Sequence, residues 1–175
     1  RTDDGGRTGV AASLSGGSVL DASGLFFSSP HNLIAPGDSH GMHDGWETRR
    51  RRGEGHDWVV LRLAAETEIE RVDVDTLNFK GNYPDTCSLD VRVTPDVAAD
   101  PEAEPAWSEV LSRRKLGPHR RVTFPIDPPA LATQVRLNIH PDGGVARLRV
   151  HGRVTDDGWR SFGVRWLNAN MPDLF

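Results

Sequence analysis

A single cysteine, Cys87, stands among 175 residues, which excludes an internal disulfide and leaves no mark of an oxidising compartment. No apolar run approaches the ~20 residues that a bilayer-spanning helix needs, and the N-terminus lacks the charged-then-apolar pattern of a secretory signal. Positive charge is not in surplus. Lys and Arg number 21 against 25 Asp and Glu, for a formal net charge of −4, whereas a nucleic-acid backbone recruits an excess of Lys and Arg onto one face. Sustained helical periodicity is missing, and no two histidines show the spacing of a helical metal site. The expectation is a cytoplasmic protein with neither membrane nor nucleic acid as partner.

Gly and Pro are frequent, at 18 and 12 residues, beside 37% hydrophobic and 26% charged residues. That composition predicts many turns and an all-β fold. The length suits one domain with a real core. Period-two alternation supports the same reading: Val72, Val74 and Thr76 oppose Arg71, Asp73 and Asp75, as on the two faces of a strand. Equivalent alternations run through Cys87, Leu89 and Val91, through Val122, Phe124 and Ile126, through Val135, Leu137 and Ile139, and through Leu148 and Val150. A buried strand is predicted over Val59 to Leu63, then a brief turn, then another over Ile69 to Thr76. Together they make an antiparallel β-sandwich.

Residues 1–16 are polar and read as a lead-in or linker, 17–155 as the sandwich, and 156–175 as a C-terminal aromatic tail. That tail carries Trp159, Phe162, Trp166 and Phe175, too many large apolar groups to hang free, so it is expected to pack on this domain or on a neighbour. The acidic, proline-studded stretch 94–105 is predicted to be an exposed loop.

Two segments concentrate the chemistry. Asp44-Gly45-Trp46-Glu47-Thr48-Arg49-Arg50-Arg51-Arg52 sets an acid among four arginines, and Arg136 to Val150 holds Arg136, Asn138, His140 and Arg147 around the hairpin signal Pro141-Asp142-Gly143-Gly144. If the first is extended, Glu47, Arg49 and Arg51 share one face and Arg50 and Arg52 the other. An arginine fork can grip a carboxylate through two charge-assisted bonds. Asp142 could pair with Arg147 or Arg49. His56 and Asp57 either cap a turn or do chemistry, and the arginine run alone would suit a solvated hairpin edge.

Taken with Gly55-His56-Asp57-Trp58, Phe79-Lys80-Gly81-Asn82-Tyr83-Pro84-Asp85 and Lys115-Leu116-Gly117-Pro118-His119, these segments resemble the motif set of the allantoicase repeat, in one order from about Gly17 to Gly152. The resemblance implies a jelly-roll antiparallel β-sandwich of the galactose-binding-like kind. It also implies hydrolysis of allantoate to ureidoglycolate and urea in purine degradation. Allantoate, the substrate so implied, offers one carboxylate and two ureido arms. On this view Glu47, His56 and Asp57 are the candidate catalytic groups, and Arg49, Arg51, Lys80, Asn82, Arg136, Asn138 and Arg147 the candidate substrate-binding ones. No metal ligands are assigned, although a divalent metal such as manganese is suspected for some allantoicases. The chain departs from the family pattern at Asn78, where many relatives have His, and at His140, where an aromatic such as Tyr or Phe is usual. Full allantoicases resemble two tandem copies. This chain holds one, most like the second, so the expected partner is another repeat or a second copy of itself. The alternative is a non-catalytic jelly-roll module that binds a ligand or supports a partner repeat.

Overall fold

The computed structural model describes residues 8–9, 16–94 and 105–170. Most of the expected loop at 94–105 and of the lead-in, and the end of the tail, lie outside the described residues. The strands are β1 (Thr8–Gly9), β2 (Ser18–Ala22), β3 (Trp46–Glu47), β4 (Asp57–Asp75), β5 (Thr86–Arg92), β6 (Ser108–Lys115), β7 (Arg121–His140), β8 (Gly144–Val145) and β9 (Arg147–Val154), followed by helix α1 (Asp156–Asn170). Short 3-10 turns cover Pro30–Ile34 and Met42–Asp44.

Two long antiparallel strands, β4 and β7, organise the molecule. The first half of β4 pairs with β2 and with the last residues of β7, which continue into β5 and β6. The second half of β4 pairs with the start of β7 and with β9, and β1 lies beyond β9. Register shifts between Arg62 and Thr67 and between Ile69 and Arg71 mark where β4 bends from one layer to the other. The brief turn expected between Leu63 and Ile69 is therefore a bulged continuation of one strand. Ala64 and Ala65 are buried there, and their small side chains let the layers close at the bend.

The core lies between the layers. Leu61, Ile69, Val72, Leu89, Val135, Leu137 and Leu148 are among the residues within it, at 2% exposure or less. The alternations seen in the sequence fill this space as predicted, and Leu33 and Ile34 of the first 3-10 turn close one end. Asp75 departs from the simple pattern. Although it is on the charged set of its strand, it is 1% exposed, because Arg121 covers it with contacts of 3.0 and 2.7 Å to Oδ2.

Thr8 and Gly9, inside the expected lead-in, pair with Gly152 and His151 of β9. The aromatic segment 156–170 is helical. Thr155 Oγ1 accepts from Gly158 N at 2.9 Å, an N-cap that satisfies one free donor of the first turn. Gly158 is required because a Cβ there would run into the Glu66 carbonyl oxygen. Phe162 of this helix packs on the core, while Trp159 and Trp166 stay about half exposed. No helix among the described residues is long and apolar enough to cross a membrane.

Candidate functional site

β4 begins, β7 ends and β5 begins at one edge of the β2-side layer, where Asp57 pairs with Ile139 and Thr86 with His140. The loops that leave this edge build a groove of about 570 Å³. Glu47, Arg50, Arg51 and Asn82 line it, together with the Tyr83 side and the Pro141-Asp142-Gly143 turn.

The wall carrying Glu47 is held by residues far apart in sequence. Thr48 N donates to the Gly143 carbonyl at 3.1 Å, and Gly143 N donates to Thr48 Oγ1 at 3.1 Å. Arg51 N donates to Asp142 Oδ2 at 2.7 Å. Regular strand ends at Glu47, because these turn contacts replace ladder bonds from Thr48 onward. The extended arrangement expected for Glu47, Arg49 and Arg51 therefore does not form. Arg50 and Arg51 both line the groove, whereas Arg49 lies over the Phe26 ring at 4.3 Å. Asp142 meets the Arg51 backbone, and neither the Arg147 nor the Arg49 pairing.

Gly143 has φ +135°, a conformation that side chains rarely adopt, and a Cβ there would lie 2.7 Å from Pro84 N and 2.8 Å from Asn82 O. Glycine is needed for that close approach. The adjoining Gly144 donates from its N to Asn82 O at 2.7 Å, and a Cβ on it would overlap the buried Phe79 ring. Gly143 thus brings its turn against the Asn82–Pro84 backbone of the groove wall, and Gly144 seats that turn on Phe79. Asn78 takes φ +72°, which Asn tolerates better than most residues. Its Nδ2 donates to Ser39 O at 2.9 Å.

Among the predicted catalytic groups, Glu47 lies in the groove and accepts from Asn82 Nδ2 at 2.5 Å. Asp57 is 4% exposed and sits behind Arg51, whose Nη2 it accepts at 2.5 Å, while Ser23 Oγ donates to the same oxygen at 3.1 Å. Arg51 also donates to the His56 carbonyl at 3.2 Å. Asp57 thus aims Arg51 and is turned away from open solvent.

His56 belongs to a second polar cluster on the outer side of the same sheet edge. Its Nε2 is 3.2 Å from Asn138 Oδ1, and its ring lies 4.6 Å from that of His140. Asn138 Nδ2 donates to Asp90 Oδ2 at 2.9 Å, and Arg136 donates to the same oxygen at 2.9 and 2.7 Å. Burial pushes His140 down to about 4, with the nearby Arg113 and His56 adding to the effect. His140 is therefore neutral at pH 7 and can stack on His56 without charge repulsion. Trp107 lies beneath both Arg92 and Arg136, at 4.3 and 4.8 Å.

Arg136 and Asn138 are thus committed to Asp90 and His56, outside the groove lining. Lys80 is exposed and does not line the groove. Arg147 is 1% exposed and stitches the loop before β3: it donates to Gly37 O at 3.1 Å, to the Asp44 carbonyl, and to Asp44 Oδ2 at 2.9 Å. Asp44 is held down at about 2 by the His40 backbone N–H and by Arg147. Sequence reasoning missed Arg50, Tyr83 and the Ser88, Asp90 and Arg113 contributions. Extended alternation sets Arg50 opposite Glu47, whereas in the structure both line the groove. Among the described residues no three His, Cys, Asp or Glu side chains converge on one point as a metal set, and Asp90 already serves Arg136 and Asn138. The described residues do not fit a manganese site.

Fold and groove define a galactose-binding-like jelly-roll β-sandwich. A galactose-bound family 32 carbohydrate-binding module from C. perfringens NanJ matches 83% of the chain and 98% of its own length, with a TM-score of 0.60 at 10% identity, a likeness of fold alone. The allantoicase repeat model matches residues 8–155, and the chain belongs to the allantoicase family. It is 46% identical to a probable allantoicase of Pseudomonas fluorescens over 151 residues, which is 83% of this chain and 45% of that protein. A probable allantoicase of Streptomyces coelicolor is 43% identical, over 85% of this chain and 38% of its own length. The crystal structure of allantoicase from Saccharomyces cerevisiae has a TM-score of 0.75 at 34% identity, over 83% of this chain and 43% of its own. The chain therefore spans less than half the length of these relatives.

Proposed function

We propose that this repeat carries an allantoate-hydrolysing site, releasing ureidoglycolate and urea, and that it works beside a second repeat or a second copy of itself in the cytoplasm. The observation that carries the reading is the groove, which sets the Glu47 carboxylate and Asn82 amide beside Arg50 and Arg51. The arginines suit the substrate carboxylate through charge-assisted bonds. Asn82 and the backbone groups around it suit the ureido arms, which offer both donors and acceptors.

Hydrolysis needs a base that takes a proton from water as its oxygen bonds to the central carbon, and an acid that protonates the urea nitrogen as the carbon–nitrogen bond breaks. Glu47 is the carboxylate that lines the groove and so the group placed to move a proton there, and Asp57 orients Arg51. The test is urea release from the folded chain given allantoate, with and without manganese, beside Glu47→Gln. Urea from the parent chain and a loss of about 100-fold or more in E47Q support the assignment. Calorimetric binding of allantoate without any urea identifies a non-catalytic module, and neither binding nor turnover identifies a structural repeat.

A further inference from the structure

Most charged groups around the groove already have a partner. The buried Asp57 carboxylate accepts from Arg51 Nη2 at 2.5 Å, so the charge of Arg51 is balanced within the protein. Asp85 is paired with Lys115 Nζ at 2.5 Å, and Glu47 Oε1 accepts from Asn82 Nδ2. Arg50 differs. Its side chain is exposed, lines the groove, and has no hydrogen bond or ion pair with any described residue. The backbone on either side of it is nevertheless fixed, because Thr48 exchanges two bonds with Gly143 and Arg51 N donates to Asp142 Oδ2 at 2.7 Å. Among the described residues that line the groove, Arg50 is thus an unbalanced cation on a rigid mount.

The geometry points to Arg50 as the residue that selects a carboxylate-bearing ureide, with Arg51 serving as the tie that holds the loop. This rests on the allantoate reading and assigns the two ends of the substrate. A carboxylate offers acceptors only, and a guanidinium donors only, so the fork of Arg50 can take the carboxylate through two parallel charge-assisted bonds. A ureido arm offers both N–H and C=O groups. It matches the acceptor and donor of the Glu47 and Asn82 pair, where a carboxylate would find the Asn82 N–H already given to Glu47. The carboxylate therefore lies at Arg50 and a ureido arm at Glu47 and Asn82. Ureides without a carboxylate leave Arg50 unanswered and bind weakly.

Calorimetric titration of the folded chain with two probes tests this: allantoate, and methylenediurea, which keeps both ureido arms on the central carbon and lacks the carboxylate. The wild type should prefer allantoate by about 10-fold, and Arg50→Gln should remove that preference by weakening allantoate alone, about 10-fold being the lower end of what hydrogen bonds to a charged group are worth. Arg50→Lys, which keeps the charge without the fork, should restore only part of it. R50Q should leave Tm within about 2 °C, as for a surface side chain without partners, whereas Arg51→Gln should lower it by stranding Asp57. Allantoate bound by R50Q as tightly as by the wild type, an equal loss of both probes, or a wild type that does not prefer allantoate each overturns the assignment. So does a fall in Tm for R50Q as large as for R51Q, which would make Arg50 a second tie. Turnover separates this from the hydrolase reading. Allantoate held through Arg50 without urea release keeps the assignment and ends that reading, while urea release at unchanged KM in R50Q does the reverse. A folded wild type that binds neither probe overturns both.

Discussion

Replacing Gly143 with alanine tests whether the close approach of its turn to Asn82 and Pro84 requires glycine. The φ of +135° puts alanine in a region that costs about 1–3 kcal/mol. The added Cβ, 2.7 Å from Pro84 N and 2.8 Å from Asn82 O, meets backbone that cannot turn aside, and such overpacking costs about 1–3 kcal/mol more. The sum is centred near 4 kcal/mol, or about 12 °C in Tm at ~3 °C per kcal/mol for a domain of this size. Differential scanning calorimetry reads it directly. Gly144→Ala provides the discriminating comparison, since its obstacle is the Phe79 ring and not backbone. Combined with Phe79→Leu it should regain about 1–2 kcal/mol relative to G144A alone, a coupling expected between residues in contact, whereas F79L should do little for G143A. A Tm drop under about 3 °C in G143A, or equal rescue of both glycine variants by F79L, would refute the reasoning.

Arg147→Met should destabilise the chain by about 1–3 kcal/mol in urea denaturation, because the Asp44 carbonyl loses its donor and the Asp44 carboxylate keeps only its His40 contacts. Stability should fall as the solution is acidified from about pH 6.5 toward 4. His140 is held at about 4 in the folded state against an ordinary value near 6.5, so the unfolded chain binds the extra proton in that window and is favoured. His140→Phe should flatten that part of the stability profile. Cys87, buried and pushed up to about 12 by desolvation, should resist a disulfide reagent at pH 8 until denaturant is added, and prompt labelling of the native chain would contradict its burial.

Alternation made the strands legible because each layer has one face in the core, as for Cys87, Leu89 and Val91. The unbroken course of β4 was hidden, since Ala64 to Thr67 breaks the period exactly where the strand bends. Helix α1 was hidden as well: Gly158 and Gly163 lower its propensity, and its cap depends on Thr155 against Glu66, 89 positions away. In the site, Glu47 and Asn82 were legible as a carboxylate and an amide on turn-rich loops. The phase of the arginine run was not, because Thr48 and Arg51 answer to Gly143 and Asp142, more than 90 residues downstream. Arg136 and Asn138 stood out by type, but only the register that sets Asn138 between Trp58 and Ser88 reveals what they hold.

The two long strands that bend from layer to layer also determine how the molecule comes apart. A sandwich whose sheets shared no strand could loosen one sheet while keeping the other. Here β4 and β7 each belong to both layers, so β2 and β5 on one side and β9 on the other all pair with a strand that the opposite layer shares. The amides of Leu61 and Val72 should accordingly exchange with solvent at one common rate set by global opening, and no pair of fragments cut between the layers would each retain a fold.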